Sequence, residues 1–368
     1  MKQGWEYKKI GNICNITTGK LDANAANEDG LYPFFTCSRI PLSINTYAYD
    51  CECILIAGNG DLNVKYYNGK FNAYQRTYIL QLKNDVNGVE MRYIFAFFNL
   101  YIEELRRKSI GGIIKYIKLG DLTNALLPLP DITTQLSIVS ELDKINELIR
   151  LKKEQLKDYD NLAQSIFYEM FGDPVENDKG WELKKLGEVC SVGTGSTPNR
   201  KNKEYYEHGI YPWVKSTEVC NLPIYSVEEF ITEEALQNTN CGLYPKDSIL
   251  MAMYGQGKTR GQVGLLKIEA CTNQVVAAIV PSKKINSIFL YRHLMLMYEH
   301  IRDMARGGNQ ANLNLTIVRS IQILLPPLPL QHLFAQRIEQ IERQKSAVQK
   351  SIIDLETILA SRMQYWFE

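Results

Sequence analysis

Near its start the chain reads Gly4-Trp5-Glu6-Tyr7-Lys8-Lys9-Ile10-Gly11, and 176 residues later it reads Gly180-Trp181-Glu182-Leu183-Lys184-Lys185-Leu186-Gly187. The same offset relates Cys14 to Cys190 and Thr18-Gly19 to Thr194-Gly195. A stretch that returns once at this distance indicates two copies of one structural unit within the chain.

Later matches extend the duplication to the end of each half. They are Leu31-Tyr32-Pro33-Phe34 with Ile210-Tyr211-Pro212-Trp213, and Pro128-Leu129-Pro130 with Pro327-Leu328-Pro329. Gln135 then aligns with Gln331 at an offset of 196, whereas the middle of each half matches poorly. Because a solenoid needs three or more repeats, two copies predict a pseudo-twofold molecule. Its halves would share a scaffold and differ at their centres.

Both halves contain the same order of predicted elements, and the fold class is mixed α/β. Apolar runs punctuated by glycine and asparagine predict strands. The predicted strands cover residues 53–57, 78–82, 248–252 and 275–280, and the predicted helices cover residues 92–108 and 289–306.

Each half ends in an apolar seam whose members are spaced four and three residues apart, which is the heptad pattern of a coiled coil. The seams predict long helices at residues 136–172 and 331–368, and about 33 residues at 1.5 Å each give a rod of roughly 50 Å. Gly172-Asp173-Pro174 is expected to end the first helix. The seam residues are Ile138, Leu142, Ile145, Ile149, Lys152, Leu156, Tyr159, Ala163, Ile166 and Met170, then Phe334, Ile338, Ile341, Lys345, Val348, Ile352, Leu355, Leu359, Arg362 and Trp366.

An amphipathic helix of this length must bury its seam, and the other long helix is the simplest partner. This predicts two similar globular domains joined by an antiparallel coiled-coil spacer. The alternative is that each helix packs only on its own domain. The predicted organisation is a first domain at 1–135, a spacer helix at 136–172, a second domain at 173–330 and a second spacer helix at 331–368.

Composition is that of a globular protein and leaves the partner open. The 368 residues are 45% apolar and 23% charged, with a net charge of +1. Residues 1–135 carry +2, residues 136–179 carry −4, residues 180–330 carry +3 and the rest are neutral, a pattern that permits a polyanionic partner without requiring one. No apolar run reaches the roughly 18 residues of a membrane span, and no signal-peptide core is present, so we expect a cytoplasmic protein.

Catalytic and metal motifs are incomplete. Residues 252–259 end in Gly-Lys-Thr like a P-loop, but Ala252 replaces the first glycine and the following residues predict a strand where a P-loop needs a helix. Glu6-x-Lys8 and Glu182-x-Lys184 resemble the tail of a nuclease motif, without an upstream Pro-Asp. The eight cysteines form no C-x-x-C pair, so we expect reduced thiols and no metal site. A nucleotide-dependent enzyme is therefore the weakest alternative.

Further motifs follow the two openings in order along the second half. They are Gly193-Thr194-Gly195-Ser196-Thr197-Pro198, Tyr211-Pro212-Trp213-Val214-Lys215, Gly255-Gln256-Gly257-Lys258-Thr259-Arg260-Gly261, Thr272-Asn273-Gln274, Gly307-Gly308-Asn309-Gln310-Ala311-Asn312-Leu313-Asn314 and Leu325-Pro326-Pro327-Leu328-Pro329. In this order, these motifs resemble the specificity (S) subunit of type I restriction–modification systems over essentially the whole chain. The first half departs from this pattern at Gly111-Gly112-Ile113-Ile114-Lys115, where a Gln is expected, and at Leu127-Pro128-Leu129-Pro130, which has one proline fewer.

This resemblance implies a non-catalytic subunit that gives a DNA methyltransferase and endonuclease complex its sequence specificity. Each domain would be a target-recognition domain that reads one half of a bipartite, asymmetric site in double-stranded DNA. The coiled coil would fix the gap and dock two methyltransferase subunits, to which restriction subunits are added. The methyl donor S-adenosylmethionine would belong to the methyltransferase, and this chain would bind no cofactor. The competing class is a two-domain scaffold with ligands other than DNA.

Candidate DNA-binding residues are those that can read base edges or bind phosphates. In the second half, the glycine-rich loop 254–261 offers Gln256 and Arg260 as base readers, Lys258 as a phosphate contact and Thr259 beside them. The alternative is a solvated hairpin turn. Further candidates in this half are Lys215, Ser216, Asn309, Gln310 and Asn312. Gln310 could equally bond the backbone of its own loop.

In the first half, Gly58-Asn59-Gly60 follows a predicted strand as the loop 254–261 does in the second. The candidates there are Asn59, Lys65, Gln75, Arg76 and Lys115. The neighbouring tyrosines are expected to pack within the domain.

Overall fold

The computed structural model describes residues 4–255, 257–305 and 312–368. The chain divides into two compact units, one formed by residues 1–154 with 349–368 and the other by residues 155–348. Two helices of 40 residues, Ile132–Phe171 and Leu328–Phe367, contribute to both units. We call them the first and second long helix. Among the helices of the described residues, none is long and apolar enough to cross a lipid bilayer.

The first unit is built on a six-stranded sheet in which only the pair Tyr32–Phe35 and Val64–Ala73 is parallel. The helix Met91–Lys108 buries its apolar face against this sheet. The predicted strands and helix of this half are therefore confirmed. In spatial order the strands are Cys14–Thr18, Thr77–Leu82, Tyr49–Ala57, Val64–Ala73, Tyr32–Phe35 and Leu42–Ile44, with a separate pair, Glu6–Lys9 and Leu126–Leu129; the short helices are Ile10–Ile13, Ala23–Ala25 and Leu119–Thr123.

The second unit repeats the central antiparallel sheet with four strands. The predicted helix at 289–306 is two helices, Ser287–Leu296 and Tyr298–Asp303, linked by backbone hydrogen bonds of Met297. In spatial order, the strands of the four-stranded sheet are Cys190–Thr194, Val276–Pro281, Ile249–Ala252 and Val263–Leu265. A three-stranded sheet contains Phe230–Ile231, Tyr211–Val214 and Cys271–Thr272, and a two-stranded sheet pairs Gln322–Leu324 with Leu183–Lys185. The other short helices are Leu186–Val189, Lys203–Tyr205, Ser216–Glu218, Glu233–Asn238 and Leu315–Ser320.

The repeated opening stretch packs on the end of a long helix in each unit. Trp5 stacks on Trp366 with ring centroids 6.3 Å apart. Trp181 donates a hydrogen bond from its indole N–H to the carbonyl of Phe171 at 2.9 Å. In each unit the strand that contains the Lys-Lys pair then bonds the Leu/Pro-rich strand that precedes a long helix. The duplication therefore preserves the junction between sheet and helix.

The repeated glutamines, Gln135 and Gln331, are fully buried and form equivalent hydrogen bonds in the two units. Gln135 accepts a hydrogen bond from the N–H of Glu90 at 2.9 Å, and Gln331 accepts one from the N–H of Asn286 at 2.8 Å. Each glutamine also donates to a proline carbonyl just before its long helix, at 2.8 and 2.7 Å. Glu90 and Asn286 are the residues that precede the helix covering the sheet, so each glutamine ties two helix starts together.

Within each unit the two long helices pack antiparallel. In the first unit Glu141 pairs with Arg362, and Lys153 pairs with Glu356 at 2.8 Å, so the order of partners is reversed. All twenty predicted seam residues are buried or half-buried, which confirms the seam. Two of the charged seam members form ion pairs, since Arg362 bonds Glu141 in the first unit and Lys345 bonds Asp160 in the second unit at 2.6 Å.

Both long helices begin a few residues before the predicted starts at 136 and 331. Asp131 caps the first helix, because its carboxylate accepts hydrogen bonds from the backbone N–H of Thr134 at 3.0 Å and from its hydroxyl at 2.7 Å. The second helix starts at Leu328, with Pro329 in its first turn, where a missing N–H costs nothing. The first helix ends at Phe171, before Gly172, as expected.

The buried His293 is expected to make the second unit sensitive to acid. Burial lowers the pKa of His293 to about 4, whereas an unfolded histidine titrates near 6.5. The unfolded chain therefore takes up a proton that the folded unit excludes. The free energy of unfolding should be highest above about pH 6.5 and fall by on the order of 3 kcal/mol as the pH drops to about 4.

Denaturant unfolding of the second unit at pH 7 and at pH 4.5 measures this loss. A His293→Gln variant is the control, since it should lose this part of the pH dependence while the dependence due to carboxylates stays. Equal pH slopes for the two proteins would contradict the assignment.

Candidate nucleic-acid interface

In the first unit the candidate residues gather at one end of the six-stranded sheet. The loop Gly58-Asn59-Gly60 follows the central strand, and the N–H of Gly58 donates to the carbonyl of Arg76 at 2.8 Å. The N–H of Gly60 donates to the carbonyl of Lys115 at 3.0 Å. Three loops that are distant in the sequence, carrying Asn59, Arg76 and Lys115, are thus joined through their main chains.

A cleft of about 290 Å³ opens beside these loops. Gln75 and Arg76 are exposed and line this cleft, and the amide of Gln75 donates to a carboxylate oxygen of Asp22 at 3.4 Å. The cleft is lined by Thr18, Gly58, Gln75, Arg76, Tyr78 and Ile117. An amide and a guanidinium therefore share one concave surface.

Lys65 lies at the same end of the sheet but is half-buried. Its ammonium donates to the side-chain carbonyl of Asn63, and burial lowers its pKa. Asn63 in turn donates to the carbonyl of Cys37 at 2.8 Å. The ammonium group of Lys65 is therefore held within the protein by Asn63. It is less accessible to a ligand than the charged groups of Arg76 and Lys115, which are exposed.

The second unit builds an equivalent loop after its central strand. The N–H of Met253 donates to the carbonyl of Val275 at 2.9 Å, and the N–H of Leu313 donates to the carbonyl of Met253 at 3.1 Å. In the first unit Gly58 makes the same two kinds of bond, donating to one neighbouring loop and accepting from Ile117 at 3.0 Å. The loops 58–60 and 254–261 therefore occupy the same place in the two units.

Two residues that sequence reasoning missed hold the loop of the second unit. The hydroxyl of Tyr298 donates to the carbonyl of Lys258 at 2.5 Å, and the guanidinium of Arg302 donates to the carbonyl of Arg260 at 3.0 Å. Arg302 also donates to the hydroxyl of Tyr298 at 2.8 Å. In the sequence, an aromatic and a basic residue stand four positions apart on a predicted helix. The sequence does not link them to the loop, because the carbonyls they bind lie 40 and 42 residues earlier in the chain.

The side chains of this loop differ in exposure. Lys258 is exposed, whereas Thr259 and Arg260 are half-buried. The buried Nε of Arg260 has no hydrogen-bond partner among residues 4–255, 257–305 and 312–368.

The remaining candidates of this unit divide into three groups. Lys215 forms ion pairs with Glu228 at 2.7 Å and Glu229 at 3.0 Å, so its charge is already compensated. Ser216 and Asn312 are half-buried. Gln256, Asn309 and Gln310 lie outside the described residues, and their roles stay predictions.

The catalytic alternatives gain no structural support. The loop 254–261 leads into the strand Val263–Leu265, as the sequence predicts, so no helix N-terminus is available to bind phosphate as in a P-loop. Within the part of the chain that the structure describes, no three His, Cys, Asp or Glu side chains come together as metal ligands.

Two matches to one family model account for most of the chain. The model is that of the type I restriction modification DNA specificity domain, and it matches residues 2–158 and 178–357. The chain belongs to this family. The two matched segments correspond to the two halves of the internal repeat, so the duplication is a pair of specificity domains.

Comparison with individual proteins agrees. The chain is 26% identical over 376 residues to the type I restriction enzyme EcoDI specificity subunit of Escherichia coli, covering 95% of this chain and 83% of that protein. Its fold is similar to that of the S subunit of the type I restriction–modification system from M. genitalium, with a TM-score of 0.62 and 16% identity over 100% of this chain and 98% of the other.

A second solved chain, from work on complex assembly and conformational transition of the type I system, gives a TM-score of 0.63 at 17% identity over 100% and 98% of the two chains.

Proposed function

We propose that the two units read the two halves of one bipartite, asymmetric DNA site. The observation that carries this proposal is the pair of equivalent loops, 58–60 and 254–261, which the same main-chain bonds hold after the central strand of each unit. The side chains on the two loops differ, so one scaffold would present two different sets of donors and acceptors. Base edges in the major groove are distinguished by such sets.

The chain itself would be non-catalytic and would act in the cytoplasm. Two methyltransferase subunits would dock on it and supply S-adenosylmethionine, and restriction subunits would join that core. Leu148, Leu151 and Leu162 support a docking role for the first long helix, because they lie off the seam and are about half exposed. The long helices would also fix the number of base pairs between the half-sites.

A genome-wide methylation map of the host, with and without this gene, tests the proposal. Loss of methylation at one split motif, with two short halves around a fixed gap, is the expected result. An unchanged map, with the gene expressed and the methyltransferase active, would favour the two-domain scaffold instead. Binding of the assembled complex to duplex DNA should also weaken steeply with salt, as release of counterions requires.

Substitution of Arg260 separates base reading from phosphate binding. Arg260→Ala is expected to weaken binding to the matched site by about 1–3 kcal/mol and to relax the preference at one position of one half-site. Lys258→Ala, two residues earlier, is the comparison, since a phosphate contact should weaken binding to all sequences alike. Dissociation constants for a set of single-base variants of the site measure both effects. A uniform loss for Arg260→Ala would assign that side chain to a phosphate instead.

A further inference from the structure

In the first unit, the loop that leads to Lys115 has an apolar tip formed by Ile113 and Ile114. Ile113 is fully exposed and Ile114 is 63% exposed. A backbone bridge between Ile110 and Tyr116 closes the loop beneath them, with reciprocal N–H to carbonyl bonds of 3.0 and 2.8 Å. Gly111, with a φ of +121°, allows the turn. The two isoleucines are thus held outward by a closed loop.

The surroundings of this tip are basic. Lys115 follows it directly and is exposed, as are Lys118 and Arg76. Asp61, the acid on the loop that Lys115 contacts through Gly60, is paired with Arg39 at 2.7 Å and Arg106 at 3.3 Å. An apolar contact flanked by exposed cations suits a polyanion that displays apolar groups between its charges.

We infer that Ile113 and Ile114 contact the 5-methyl group of a thymine in the half-site read by the first unit. The inference rests on the proposed DNA-reading function and deepens it. Isoleucine has no donor or acceptor for a base edge, and the thymine methyl is the apolar group that the major groove offers. One buried methyl group is enough to discriminate a base.

The second half carries different chemistry at the same place in the repeat. At an offset of 196, Asn309 and Gln310 correspond to Ile113 and Ile114. This difference supplies the test variant, Ile113→Asn with Ile114→Gln. The double variant places on the tip the two residue types of the second half, whose side chains are similar in size to isoleucine. Leu31→Asn is the matched control, because Leu31 is exposed in the same unit.

The experiment replaces each thymine of the mapped half-site by deoxyuridine, which removes only the methyl group. Dissociation constants are measured for the chain assembled with its methyltransferase partner. For the unsubstituted chain, one replacement is expected to weaken binding about fourfold, the effect of one buried methyl group. The Ile113→Asn/Ile114→Gln variant should bind both duplexes equally, and the Leu31→Asn variant should keep the fourfold difference.

Three results would overturn the inference. One is a half-site without thymine, and another is unchanged binding of the unsubstituted chain to every deoxyuridine duplex. The third is the same fourfold loss in the double variant. If the double variant instead failed to assemble with the methyltransferase while deoxyuridine had no effect, the tip would be a protein contact. Absence of any site-specific binding by the unsubstituted chain would refute the DNA-reading function itself.

Discussion

Phe367→Ala is expected to destabilise the first unit by about 3–5 kcal/mol, although the residue lies at the far end of the chain. Phe367 is buried in the core of that unit, with its ring centroid 5.1 Å from that of Tyr93 and 5.9 Å from that of Phe97. Removing the ring would leave a cavity between the helix that covers the sheet and the second long helix. Because such a unit has few kcal/mol to spare, its cooperative unfolding should shift markedly.

Calorimetry or denaturant unfolding followed by hydrogen exchange would assign the loss to residues 4–154. Ile353→Ala is the control on the same helix segment, since Ile353 is 55% exposed and its truncation should change the free energy of unfolding by less than about 0.5 kcal/mol. A Phe367→Ala protein as stable as the Ile353→Ala protein would mean that the returning segment is dispensable for the first unit.

The helical part of this architecture could be predicted from the sequence because it rests on periodicity. A seam spaced four and three residues apart fixes which side of a helix is buried, and no seam residue is exposed. The helix starts were missed because they depend on single capping interactions, as at Asp131. The break at Met297 was also missed, since no glycine or proline marks it and the residues on both sides remain helical.

The candidate site was predictable in position but not in detail. A glycine-containing loop after a buried strand indicated where ligands could approach, and in the first unit the structure joins that loop to the loops that carry Arg76 and Lys115. The neutralisation of Lys215 could not be read from the sequence, because Glu228 and Glu229 reach it only through the pairing of two strands. The anchoring of the loop 254–261 by Tyr298 and Arg302 depends in the same way on tertiary contact.

Where the two halves differ in their cores, the differences compensate each other. In the second unit the N–H of Leu324 donates to Nε2 of the fully buried His293 at 2.9 Å. At the equivalent position of the first unit stands Pro128, which has no N–H to satisfy. The residue that corresponds to His293 there is Phe97, which needs no partner. The buried N–H of Leu324 is thus matched by an acceptor in the second unit, and both groups are absent from the first. The Nδ1 atom of His293 has no hydrogen-bond partner among the described residues.

This pairing predicts a strong coupling between two substitutions in the second unit. His293→Phe should be costly, because it leaves the N–H of Leu324 buried without an acceptor, a loss of about 1–3 kcal/mol. Leu324→Pro removes the donor, so the double variant should be less destabilised than the sum of the single variants by a similar amount. Free energies of unfolding of the four proteins, measured above pH 6.5, give the coupling.

The control distinguishes the N–H from the side chain. Leu324→Ala keeps the donor and removes most of the apolar group, so its effect should add to that of His293→Phe. If the effects of His293→Phe and Leu324→Pro were also additive, the lost packing of Leu324, and not its N–H, would determine the loss of stability. If His293→Phe were coupled to Leu324→Pro but not to Leu324→Ala, the role of the histidine would be to accept one main-chain hydrogen bond. It would also explain how the two copies could diverge in their cores while preserving the same junction of sheet and helix.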